Sequence, residues 1–116
     1  MRDHKSLIAW QRSRQVALAV LRIARQHWQP WAAAMFVQLQ RASLSVQLNI
    51  AEGYALRSKP RLRSQLVVAF GSATETVELL EMIRDSECVP ESVVEPTLGK
   101  ANETCALLLG LLKHYS

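Results

Sequence analysis

Gln38, Arg41, Ser45, Asn49 and Glu52 recur at spacings of 3, 4, 4 and 3, so on a helix they form one polar stripe beside an apolar face. Farther along, Ser72 and Glu75 stand one turn apart on a comparable flank. Two carboxylates with an amide, Glu52 and Glu75 with Asn49, could position a proton or hold a cation. The same groups could instead fix helix register through interhelical hydrogen bonds, with Arg41 or another arginine neutralising Glu52. The register reading is the economical one, because no histidine, cysteine or serine stands in a motif that would supply a nucleophile. The chain is therefore read as non-enzymatic, with no catalytic residue and no cofactor.

Other candidate chemistries are thinner. Gly53 and Gly71 belong to neither GxGxxG nor GxxxxGK[ST], so close helix packing or a helix end explains them better than a phosphate cradle. Cys88 and Cys105 lack CxxC spacing, and His4, His27 and His114 are scattered singly, which gives no zinc pattern and leaves two inert free thiols. Glu75, Glu78, Glu81 and Asp85 recur at helical spacing; a solvated flank suits them better than a metal site, with docking to a basic partner as the remaining use.

Positive charge is the stronger signal. The net charge is +4, but residues 1–74 carry +9 and residues 75–116 carry −5. Arg57, Lys59, Arg61 and Arg63 fall within seven positions at a loop and the start of a helix, where backbone N–H groups also favour anions. Arg12, Arg22 and Arg25, with Arg14 near the apolar stripe, could extend that patch. Binding would be to the phosphate backbone and shape of RNA or DNA, because no RNA-binding aromatic signature or helix-turn-helix pattern accompanies the charges. The competing use is salt bridging, within the chain or to acids of a neighbouring subunit.

These residues must be carried by helices, since the chain shows four amphipathic segments and no strand pattern. The first spans about 6–29, with Leu7, Trp10, Ala17, Leu21, Ala24 and Trp28 inward and Val16, Val20 and Ile23 widening the stripe. The second spans about 31–55, with Met35, Leu39, Ala42, Val46, Ile50 and Gly53 inward and Phe36, Ser43 and Ala51 widening the face. The third spans about 59–87, capped by Ser58 with Pro60 in its first turn, and carries Leu62, Leu66, Ala69, Ala73, Val77 and Leu80 inward. The fourth is placed at about 96–114, after a separate turn from Pro90 to Glu95, because a proline disrupts a helix interior. Val94, Leu98, Ala101, Cys105, Leu108, Leu112 and Tyr115 alternate 4 and 3, as in an a/d seam.

At 116 residues this is one domain, large enough to bury a core without metal or disulfide staples. The expected fold is all-α, an antiparallel up-down four-helix bundle over residues 1–116. The longest apolar run, Val16 to Leu21, is too short to span a bilayer, and the N-terminal run is broken by Gln11–Arg14, so the expectation is a cytoplasmic protein without a membrane role. Leu107, Leu109 and Leu111, with three tryptophans, exceed what one small bundle hides, which points to self-association.

Three stretches carry a family resemblance: Leu7-Ile8-Ala9-Trp10-Gln11, the run from Gln38 to Gly53 with Asn49-Ile50-Ala51-Glu52-Gly53 at its end, and Ala69 to Glu75 with Gly71-Ser72. Together, over about Leu7 to Arg84, they resemble the four-helix-bundle proteins encoded in intervening sequences of 23S ribosomal RNA genes. The same fold family includes the accessory variability determinant of diversity-generating retroelements. The resemblance implies a ring-like homo-oligomer, a pentamer, and in the retroelement group a basic accessory protein that binds a reverse transcriptase and its RNA. It also implies a structural motif made of Arg41, Ser45, Asn49, Glu52, Gly53, Gly71, Ser72 and Glu75. The chain departs from the family where Trp31 to Phe36 is apolar rather than acidic and aromatic, and where Gln40 replaces an expected arginine. The expected function is thus a basic nucleic-acid-binding accessory protein; the alternative is a structural or protein-interaction module with no direct nucleic-acid role.

Overall fold

Three- and four-residue apolar spacing becomes four helices in the computed structural model, which describes residues 3–116. They are α1 (Ile8–His27), α2 (Ala33–Ala55), α3 (Lys59–Asp85) and α4 (Glu91–His114), with 3-10 turns at His4–Ser6 and Pro30–Ala32 and no strand among the described residues. Local chemistry sets the breaks. Gln29, directly ahead of Pro30, is extended at φ −131° and ψ 133°, and the proline ring opens the second 3-10 turn. Between α2 and α3 the chain passes through Arg57, which takes a positive φ of 52°. Pro60 then sits in the first turn of α3, where its missing N–H costs nothing.

Helix α1 packs on α2 and α4, α2 packs on α3, and α3 packs on α4, in a body of 43 × 20 × 20 Å. The core has two apolar parts. Val20, Ile23, Phe36, Leu39, Leu80 and Val94 lie in one, and Ile50, Tyr54, Leu62, Leu66 and Leu108 in the other. Between them lies a layer with one buried hydroxyl from each helix: Ser13, Ser43, Thr76 and Thr104. Each donates to a carbonyl three or four residues back on its own helix, which satisfies it without a cross-helix partner. Small side chains here, Ala73 and Ala101 included, leave a cavity of about 10 Å3.

The structure corrects two expectations. Helix α4 does not wait for Pro96: it starts at Glu91, with Pro90 as its N-cap and Pro96 inside it. Pro96 lacks the N–H that would bond the Ser92 carbonyl, but Ser92 is exposed and water can take that place. Burial of Val94, Thr97 and Leu98 on both sides of the proline outweighs the lost bond. On α1 the inward stripe is rotated. Val16, Val20 and Ile23 are core, whereas Leu21 and Trp28 are 50% and 44% exposed.

Candidate functional site

The polar stripe of α2 meets α3. Ser45 and Ser72 hydroxyls lie 2.9 Å apart, and Asn49 Nδ2 donates to the Ser45 carbonyl at 2.8 Å and to its hydroxyl at 3.0 Å. One end of the stripe reaches Glu75, whose two oxygens accept from Gln38 Nε2 at 3.1 and 3.3 Å. Glu52 has no such partner: among the described residues, neither Arg41 nor any other arginine pairs with it, contrary to expectation. Glu52 lies 14 residues beyond Gln38 on the same straight helix, about 21 Å along the axis from the group that holds Glu75. The two carboxylates therefore cannot share a proton or a cation. Among the described residues no cluster of three metal-ligating side chains exists.

The two motif glycines differ. A Cβ at Gly53 would stand 3.1 Å from both Gln65 Cβ and Leu62 Cδ1, so α2 and α3 approach closely because the side chain is missing. Gly71 is exposed in the middle of α3 with nothing within 4 Å of such a Cβ. Neither close packing within the chain nor a helix end accounts for it.

Arg57, Lys59, Arg61 and Arg63 project at the α2–α3 turn, all exposed, and no carboxylate among the described residues pairs with them. Ser58 occupies the N-cap of α3 with extended backbone, but its hydroxyl makes no capping bond. The first N–H groups of α3, those of Lys59 and Arg61, thus remain open beside four cations.

The arginines of α1 do not all join this patch. Arg12 Nε donates to Glu103 Oε1 on α4 at 2.7 Å, which neutralises it; a pair 91 positions apart in sequence leaves no local signal. Ala9 at the start of α1 shares the apolar cluster of Tyr54 and Leu62 next to the turn, and Arg25 lies 16 residues farther on, about 24 Å along the helix. Arg22 and Arg25 instead border an open groove of about 710 Å3 between α1 and α2, with Leu18, Leu21, Trp28 and Gln40. Arg14 is exposed on the same helix. That groove was not foreseen, although Leu21 and Trp28, misplaced into the core stripe, were its signal.

Both cysteines are free, and burial pushes each thiol above its ordinary range, with a Thr74 hydrogen bond opposing this at Cys105. Neither has the lowered pKa of a nucleophile. Among the described residues no helix is long and apolar enough to cross a membrane.

Comparison with known proteins places this geometry in context. A family model described as 23S rRNA-intervening sequence protein matches residues 5–110. No curated protein sequence matches the chain. A 1.70 Å crystal structure from Bacteroides thetaiotaomicron VPI-5482, described as a protein of unknown function from the S23 ribosomal protein family, superposes with a TM-score of 0.81 at 21% identity. The match covers 91% of this chain and 99% of that one, and speaks for a shared fold.

Proposed function

The chain belongs to the 23S rRNA-intervening sequence protein family, and on that premise we propose that it is a non-enzymatic, homo-oligomeric bundle that binds the phosphate backbone of RNA or DNA. The observation that carries this reading is the cationic turn: four exposed basic side chains without carboxylate partners, beside the uncapped start of α3. Charge held unpaired on one turn is neutralised most economically by a polyanion, and each phosphate engaged releases counterions. Nothing at the turn reads base edges, so recognition is of backbone and shape. In our reading the helices run up and down, because Gln38 meets Glu75 while Ser45 meets Ser72, and copies join in a ring, a pentamer by resemblance. Repetition around a ring multiplies the field of one turn. The resemblance to the retroelement accessory protein makes a reverse transcriptase the protein partner to try first.

Binding of the purified protein to a structured RNA and to duplex DNA across a salt series tests the proposal. Log affinity should fall linearly with log salt. Arg57→Gln, Arg61→Gln and Arg63→Gln together should flatten the slope by about 2 to 3, since each lost phosphate contact removes about 0.7 to 0.9. Absence of binding at near-physiological salt, or an unchanged slope in the variant, overturns it. The alternative is a protein-interaction module, in which the exposed basic turn meets acidic protein surface rather than phosphate.

A further inference from the structure

Two outward stripes of this bundle have the period of a helix-packing seam yet face mainly solvent; Trp28 stacks its ring on Phe36 with centroids 5.3 Å apart, and Glu75 meets Gln38. On α1, Arg14, Leu18, Leu21, Arg25 and Trp28 follow one another at 4, 3, 4 and 3. All are exposed except the half-buried Leu18, and the two arginines form no ion pair among the described residues. On α3, Val68, Gly71, Glu75, Glu78, Met82 and Asp85 follow at 3, 4, 3, 4 and 3, all exposed, with Val68 and Met82 at 49% and 55%. Alternating threes and fours keep a stripe on one side of a helix over many turns, which is what a packed partner helix requires. The stripes also match in length, about 21 Å on α1 and about 25 Å on α3.

We propose that the basic stripe of α1 on one copy packs against the acidic stripe of α3 on the next. Charge complementarity carries the assignment: Arg14 and Arg25 punctuate one apolar row, and Glu75, Glu78 and Asp85 punctuate the other. Glu78 has no partner among the described residues, Glu75 is met by the neutral amide of Gln38, which leaves its charge uncompensated, and Asp85 gives one oxygen to Arg84. Packing α1 on α1 would set arginine against arginine, and α3 on α3 would set acid against acid. Gly71 adds an independent observation. A glycine in a helix interior destabilises it, and nothing within the chain uses the space its missing side chain leaves. A helix from outside, approaching between Val68 and Glu75, does use it.

Because the two stripes are different surfaces, the contact is head-to-tail and generates a closed ring or a filament rather than a two-fold dimer. On the bundle both stripes border α2, one from α1 beside Gln40 and the other from α3, where Glu75 meets Gln38.

This inference rests on the homo-oligomer reading above, and sedimentation equilibrium of the full chain separates the two. Arg14→Glu with Arg25→Glu, or Glu78→Arg with Asp85→Arg, should each weaken association at least about tenfold, with helix content retained by circular dichroism. All four changes in one chain exchange every charge of the two stripes but that of Glu75 and should restore the oligomer. A wild-type monomer overturns both the oligomer and this contact. An oligomer that survives either single-stripe variant overturns the assignment of faces while leaving the oligomer standing. Folded variants that dissociate and are not restored by the fourfold exchange overturn the pairing of these two stripes with each other.

Discussion

Gln38 on α2 holds Glu75 on α3 through both carboxylate oxygens, so the acid of this motif is tied to its neighbour by a neutral amide rather than an arginine. The arrangement keeps the negative charge on the surface and uses it for register. With Ser45, Asn49 and Ser72 it makes a polar strip along the α2–α3 contact: a one-turn slip would break the Gln38–Glu75 and Ser45–Ser72 links, while Asn49 holds Ser45 in place from within α2.

The strip should therefore matter more to the α2–α3 alignment where it is sheltered than where it is open. Asn49→Ala, which removes two partly buried hydrogen bonds, is expected to cost about 1 kcal/mol. Gln38→Ala, at an exposed contact, should cost less than half as much. Urea unfolding of the two variants checks this, and equal costs would mean that the strip is not graded by burial.

The motif glycines should respond with opposite signs. Gly71→Ala meets open space on the monomer and should stabilise the helix by about 0.5 to 1 kcal/mol, measured at dilution where copies are apart. At Gly53 the same change places a methyl 3.1 Å from Gln65 Cβ, so strain should cancel or exceed the propensity gain. Paired denaturation curves decide it, and a stabilising Gly53→Ala would show that α2 and α3 can part at no cost.

How far these features were legible in the sequence depends on how local their causes are. The inner faces of α2, α3 and α4 follow directly from spacing: Leu39, Ile50, Leu66, Leu80 and Leu108 are all fully buried. Helix α1 carries two adjacent apolar rows, and spacing alone does not say which faces the helix's own bundle; the larger Leu21 and Trp28 drew the stripe, while Val16, Val20 and Ile23 took the core. Pro96 misled because a local rule about proline ignores tertiary burial on either side. Arg12 misled because its carboxylate is brought to it only by folding. The α2 polar stripe was visible as a stripe, but Gln38 as the partner of Glu75 required the α3 register.

Pro96 offers a direct gain in stability. Pro96→Ala supplies an N–H to the Ser92 carbonyl and removes the ring's clash with that turn of α4. The site is exposed and near the helix start, so the expected gain is about 1 to 2 kcal/mol, below the roughly 3 kcal/mol of a central proline. A higher urea midpoint with unchanged slope is the result to look for; a lower one would mean that the bend at Pro96 is needed to seat Val94 and Leu98.

Alkaline pH should loosen the fold. The Tyr54 hydroxyl is raised above its ordinary 10.0 by burial and by its hydrogen bond with Tyr115, and the Cys105 thiol is raised above 9.0 by burial. Both groups hold their protons more tightly folded than unfolded. Their contribution is therefore full well below the ordinary values of 9.0 and 10.0 and is lost progressively as pH rises above them, where the unfolded chain ionises and the folded chain does not. The thermal midpoint should fall over that window, and Tyr54→Phe with Cys105→Ala should flatten the fall even though either change lowers stability near neutrality. An equally steep alkaline loss in the double variant would assign the sensitivity to other groups.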